Sequence, residues 1–336
     1  MRQDRIPSPG QGKGARPETV RAGATLLALM LLGAATAPAV AAAATACATA
    51  ETLASYPAPA FLENLTVEPS GRLLFTSYLA REIVQYRPGQ GARRWSGLDS
   101  HPISIVPSGD GWLVAAHGVP FTAGPAFTTS NRFLLLDAAG TQRRTIPAPQ
   151  ARFLNGMAPL DDGSVLVADS ILGRIWRLQP ATGTLSAWLD APELAGDPAG
   201  RDQRPGVNGL KRQGNTLYLS NSFTGRIHAL PLAADGRPGG PLWLVASPGR
   251  VDDFAVAADG GIYLATHADT VLHATPAGRI RTVLPTGGDG STAVALAAGD
   301  QQALYVLTSG GLLEGAGKPA RLLRVPLPGA ERMCTS

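Results

Sequence analysis

Between Phe61 and Pro326 the chain repeats one short pattern of apolar and polar positions six times. Each copy opens on a polar residue, alternates apolar residues, turns at a glycine, runs through a β-rich stretch and turns again into a further strand. The copies begin at Glu63, His101, Asn155, Asn208, Asp252 and Ser291. In five of them a glycine stands eight residues after the lead, at Gly71, Gly109, Gly163, Gly260 and Gly299; in the fourth it is Gly214. The second strands also read alike, from Leu74 to Ser77, Leu113 to His117, Val165 to Asp169, Leu217 to Asn221, Ile262 to Thr266 and Leu304 to Thr308. The leads lie 38, 54, 53, 44 and 39 residues apart, which suits four-stranded blades joined by loops of unequal length. No long stretch keeps a 3.6-residue period, so a helical repeat is excluded. The pattern predicts an all-β fold: a six-bladed β-propeller of four-stranded blades around a central channel.

The first 46 residues stand outside this repeat. Residues 1–21 are polar with a basic excess, and an Ala/Leu run from Ala22 to Ala46 follows, with small-residue sites such as Ala39-Val40-Ala41 and Ala44-Thr45-Ala46. That order of basic, apolar and small-residue regions reads as an export signal over 1–46, with the propeller domain over 47–336 and a periplasmic or secreted destination. A retained membrane anchor is the competing reading, weakened by Pro38 and the dense alanine. The two cysteines, Cys47 and Cys334, bracket the whole domain. In an oxidising compartment the pair reads as a disulfide closing the ring. A lipidated Cys47, which would tie the chain to a membrane, and two free thiols are the alternatives.

Composition narrows the partners. Hydrophobic residues make up 44% of the 336-residue chain and charged residues 16%, enough for a buried core, and 40 Gly with 28 Pro supply turns. The net charge of +4 is spread along the chain and no basic patch forms, so nucleic-acid binding is not expected.

In a propeller the innermost strands start at one end of the channel, so equivalent leads converge there. Glu63, Asn155, Asn208 and Asp252 would bring four oxygen ligands with a formal charge of −2, a set suited to a hard divalent cation, Ca2+ first, with Mg2+, Mn2+ or Zn2+ as alternatives. Asp253 could add to the shell. Asn155-Gly156 and Asn208-Gly209 could instead be hairpin turns, but Glu63 and Asp252 hold the same register without a following glycine. Second strands return to the same mouth, placing Ser77, His117, Asp169, Asn221, Thr266 and Thr308 just outside the leads. His101 and His117 share one repeat and should lie close together. His228, His267 and His273 fall at outer positions and read as structural.

The stretch from Phe61 to Gly71, with Phe153-Leu154-Asn155-Gly156, Val207-Asn208-Gly209-Leu210 and Val251-Asp252-Asp253, resembles the gluconolactonase/regucalcin superfamily, which is related to strictosidine synthases and serum paraoxonases. The resemblance covers about residues 50–330. It implies a catalytic divalent metal on Glu63, Asn155, Asn208 and Asp252, a paraoxonase-like histidine pair at His101 and His117, a further site residue at Asp253, and a disulfide between Cys47 and Cys334. Phe153 departs from the arginine that sugar-lactone hydrolases of the regucalcin type carry two residues before this asparagine, so a more apolar lactone or ester is the expected substrate. Phe153, Asp169 and Asn221 are its expected binding residues. The resemblance thus implies a metal-dependent lactonase or esterase in which His101, His117 or Asp253 activates water. A non-catalytic binding propeller, stabilised by the metal, is the alternative.

Overall fold

The computed structural model describes residues 49–197, 204–299 and 301–327. The expected export segment and both cysteines, Cys47 and Cys334, lie outside the described residues. The described strands form six separate four-stranded antiparallel sheets, the six blades of a β-propeller. Their innermost strands are Leu62–Val67, His101–Ser108, Leu154–Pro159, Val207–Gln213, Phe254–Val256 and Ser291–Leu296. Among the described residues the only helices are short 3-10 turns, such as Phe121–Ala123 and Pro125–Thr129, and none is long and apolar enough to cross a membrane.

Blades one to five are each built from consecutive strands. The sixth is not: its outermost strand is Glu51–Tyr56, which pairs antiparallel with Ala320–Pro326 and matches Glu51 to Arg324 and Tyr56 to Ala320. The ring is therefore closed by backbone hydrogen bonds between its first and last described strands.

Apolar residues on both faces of a strand have a direct cause here. Each blade is sandwiched between two neighbours, so alternate side chains feed two different cores. In blade one, Leu73 and Phe75 pack with Leu307 and Leu322 of blade six, while Leu74 and Ile83 pack with Ile105 and Val114 of blade two. Blade three does the same, with Val165 and Val167 facing blade two and Leu166 and Ala168 facing blade four. Every seam between adjacent blades carries such a cluster.

One irregularity recurs and matters for the site. The inner ladder slips between Leu62 and Leu65, Pro102 and Ser104, Leu154 and Met157, Val207 and Leu210, and Ser291 and Ala293. A bulge places two residues opposite one, bends the strand and re-aims a side chain. Glu63, Asn155 and Asn208 all sit within these bulges, so the same device points each of them at the axis.

The register also corrects the sixfold ring of leads. Leu62, Leu154 and Val207 face the last residues of their second strands, Ser77, Asp169 and Asn221. His101 faces His117 and Ser291 faces Thr308 in the same way. His101 and Ser291 are thus equivalent to Leu62, one residue before the position that Glu63 holds in blade one. In blades two and six that position belongs to Pro102 and Thr292.

Candidate metal and substrate site

At the channel mouth where the inner strands begin lies a cavity of about 540 Å³. Glu63, Asn155, Asn208 and Asp252 all line it. Each is almost completely buried. The Asn208 amide donates to Asp252 Oδ1 at 2.6 Å, and the nearest ligand atoms of Glu63, Asp252 and His267 lie within 4.8 Å of one another. Residues from blades one, four and five therefore reach one point, and Asn155 of blade three lines the same cavity.

The amides are oriented by serines that sequence reasoning passed over. The NH2 of Asn155 donates to Ser170 Oγ at 3.2 Å, and Ser170 in turn donates to the Val207 carbonyl at 2.7 Å. The NH2 of Asn208 donates to Ser222 Oγ at 3.0 Å as well as to Asp252. With their NH2 groups engaged, both side chains offer the carbonyl oxygen, the atom a hard cation takes. Neither Asn-Gly pair is a hairpin turn, since both lie inside inner strands. The glycines serve close approach: a Cβ on Gly156 would collide with the main-chain carbonyl oxygen of Asn208. Gly156→Ala must push two inner strands apart; we expect about 2–4 kcal/mol lost in urea unfolding and weakened cation binding.

Electrostatics mark the same point. Glu63 Oε2 and Asp252 Oδ2 are buried without a hydrogen-bond partner. Burial, followed by the neighbouring Asp252 and Asp253, holds the Glu63 carboxyl well above the usual carboxylate range. Burial pushes Asp252 up to about 6, although His267 works in the opposite direction. Two desolvated carboxylates with unsatisfied oxygens and two oriented amide carbonyls fit a divalent cation, whose charge would offset the repulsion between them.

His267 is the residue that sequence reasoning placed wrongly. It is read there as structural, yet it lines the cavity, with Nε2 3.5 Å from Asp252 Oδ2 and Nδ1 3.7 Å from Glu314 Oε1. It sits one residue beyond Thr266, just past the returning strand, in a left-handed conformation (φ 54°) fixed by its N–H donating to the Ser291 carbonyl at 2.7 Å. Burial opposes its protonation, but Asp252 and Glu314 outweigh burial and raise its pKa. A histidine is among the residues that adopt this conformation more readily, and that was the one signal available.

Five other expected site residues lie elsewhere. His117 is fully buried: its Nδ1 is 2.9 Å from the Tyr78 hydroxyl, and its Nε2 is 3.2 Å from the Leu154 carbonyl. Because a carbonyl can only accept, Nε2 carries the proton and Tyr78 donates to Nδ1. Burial drives the His117 pKa down to about 3. His101 bonds through Nδ1 to the Tyr78 carbonyl at 2.9 Å, and burial lowers its pKa too. The pair is adjacent, as expected, but neither ring lines the cavity. Asp253 turns away from the cavity and pairs with Lys211 at 2.8 Å; Lys211 lines a second cavity formed by later residues of the same inner strands. Asp169 and Asn221 tie loops together. The Asp169 carboxylate accepts from the N–H groups of Arg152, Phe153 and Leu172 and from Trp176 Nε1, all within 3.1 Å. Asn221 donates to the Glu193 and Ala195 carbonyls and accepts from Thr224 N–H.

Phe153 does line the cavity, packed on Phe127 at 5.2 Å between ring centroids. With Phe61, Ile103, Phe121 and Leu313 it makes an apolar lobe beside the polar cluster. Phe121 and Phe127 come from the loop at 118–130, and Arg204 and Pro205 from the loop at 191–206, so both loops reach the mouth. His228 and His273 lie off the cavity; His273 stacks on Tyr263 at 4.4 Å.

Comparison with known proteins agrees with this architecture. Residues 201–310, covering blade four, blade five and the start of blade six, match the model of the SMP-30/gluconolactonase/LRE-like region. A curated protein of Sarocladium schorii, named "Putative hetero-Diels-Alderase asR5", is 25% identical over 278 residues, spanning 70% of this chain and 67% of its own length. Among solved structures, a gluconolactonase from Xanthomonas campestris is similar with a TM-score of 0.62 at 18% identity, over 84% of this chain and 90% of that one. Regucalcin of Agrobacterium tumefaciens strain C58, a calcium-binding protein, gives 0.59 at 17% identity over 86% and 98%. At such identities the solved structures speak to the fold alone. The family-model match, carried on a six-bladed propeller, bears out the resemblance of this chain to the gluconolactonase/regucalcin superfamily.

Proposed function

We propose that this protein is a divalent-metal-dependent hydrolase of an apolar lactone or ester. The observation that carries the reading is the convergence of Glu63, Asn155, Asn208 and Asp252, two with orphaned buried carboxylate oxygens, beside a lobe of phenylalanines in one cavity. A divalent cation bound there supplies Lewis-acid polarisation of a carbonyl oxygen. Ser170 and Ser222 hold the amide oxygens toward it, and the low exposure of all four ligands excludes competing water. Phe61, Phe127 and Phe153 seat the apolar part of the substrate with its carbonyl toward the polar cluster. The proton released by an attacking water passes to Glu314, the exposed carboxylate at the rim of the cavity. The His101/His117 pair serves instead to brace Tyr78, whose hydroxyl also accepts from the Phe121 N–H at 3.0 Å and so fixes the mouth loop.

The gluconolactonase-like family match supports lactonase chemistry, and the clustered carboxylate and amide oxygens support a divalent cation. Export by residues 1–46 and a disulfide between Cys47 and Cys334 belong to the same proposal. N-terminal sequencing and the mass of the alkylated protein before and after reduction check them. The activity is tested on a panel of aliphatic, aryl and sugar-acid lactones, with and without a chelator. We expect hydrolysis that favours apolar lactones, falls to background on chelation and returns with the ion. Hydrolysis that persists after complete metal removal overturns the mechanism. Cation binding with no turnover on the panel returns the binding-propeller reading.

A further inference from the structure

The geometry points to His267 as a nitrogen ligand of the metal, which turns an oxygen site of calcium type into one that prefers a transition ion. The inference rests on the metal site proposed above and specifies the class of ion. Three ligand atoms, one each from Glu63, Asp252 and His267, already lie within 4.8 Å of one another, the spread that ligands about one ion adopt. Of the two ring nitrogens, Nε2 faces the cluster, 3.5 Å from Asp252 Oδ2. Nδ1 faces the Glu314 carboxylate at 3.7 Å. At that separation the two are not hydrogen-bonded and Nδ1 is buried without a partner; a shift of the exposed Glu314 side chain toward it on metal binding would complete the carboxylate–histidine–metal arrangement, in which an outer carboxylate orients the ring and makes its free nitrogen more basic.

The rest of the surroundings fix the ring in this place. Its backbone is held by the bond to Ser291, and Phe61 covers one side at 5.9 Å between centroids. Asp252 Oδ2 has no hydrogen-bond partner, and neither has Glu63 Oε2, so the imidazole faces atoms with coordination still to offer. Two carboxylates and one imidazole suit Mn2+, Co2+ or Zn2+, because nitrogen donors raise affinity along the first transition row and do little for Ca2+. His267 and Glu314 come from two loops, 266–269 and 309–319, outside the strand register that aligns the other four ligands, so the ion preference is separable from the fold.

The test is equilibrium dialysis of the metal-stripped full chain against Co2+, Zn2+ and Ca2+, together with the visible absorption of the Co2+ form. Wild type should bind Co2+ and Zn2+ at least about 10-fold more tightly than Ca2+. His267→Asn keeps a residue that tolerates the left-handed backbone but is too short for the position of Nε2. It should lose about 10- to 100-fold in Co2+ and Zn2+ affinity and change the Co2+ spectrum, with Ca2+ affinity within about threefold. Glu314→Gln, at an exposed position, guards against a folding defect and should lose about 10-fold for Co2+ and Zn2+ but not for Ca2+. If both variants bind Co2+ as wild type does, with an unchanged spectrum, His267 is not a ligand, while the hydrolase proposal stands. If wild type retains none of the three ions, the metal site itself fails and both readings fall.

Discussion

Asp252→Asn is expected to leave the purified protein without a bound divalent cation and to lower lactone hydrolysis at least about 10³-fold, the scale on which loss of carbonyl polarisation acts. Asp252 is the hub of the site: it accepts from Asn208, faces His267 and lies beside Glu63. Lys211 already balances Asp253, so Glu63 and Asp252 alone supply the −2 charge that attracts the ion. The change to asparagine halves that charge at almost constant shape. It also removes a buried carboxylate whose charge is costly without metal, so the metal-free variant should melt within a few degrees of metal-free wild type. In wild type, an ion at 100 times its dissociation constant adds about 2.7 kcal/mol. That is roughly 4–6 °C for a domain of this size, lost on chelation. Unchanged turnover in Asp252→Asn would remove Asp252 from the mechanism.

The largest effect on stability should come from Asp169→Ala. This fully buried carboxylate satisfies three backbone N–H groups and the Trp176 indole. Truncation leaves four donors without their acceptor, the Trp176 indole fully buried and the three N–H groups partly so, for an expected loss of about 3 kcal/mol in denaturant unfolding. Two of those donors belong to Arg152 and Phe153, so the apolar lobe should loosen and KM should rise. Cation affinity should stay close to wild type, because no ligand bonds to Asp169. A stable variant with only KM raised would instead restore Asp169 as a substrate contact.

The blades were legible because each strand feeds two cores, which writes apolar positions on both faces and a glycine at each turn. That Glu63, Asn155, Asn208 and Asp252 line one cavity was legible because repetition fixes their register. The remaining errors share one physical origin, in that the decisive residues lie where the ladder is irregular. A bulge shifts the pairing by one, so His101 and Ser291 look like leads although Pro102 and Thr292 hold that place. Successive side chains of an extended strand point to opposite sides, so Asp253 faces away from Asp252, toward Lys211. His267 lies just past a strand end, where neither alternation nor repeat length constrains direction. Asp169 and Asn221 were placed at the right end of the right strands, but which backbone groups they would meet depends on loops whose paths no periodicity encodes.

The account stands on the four blades' oxygen donors holding a single ion, and quantitative metal analysis of the purified protein tests that most directly. One divalent ion per chain, lost in Glu63→Gln combined with Asp252→Asn and retained in His117→Gln, is the predicted result. An ion content that is the same in all three proteins would contradict it.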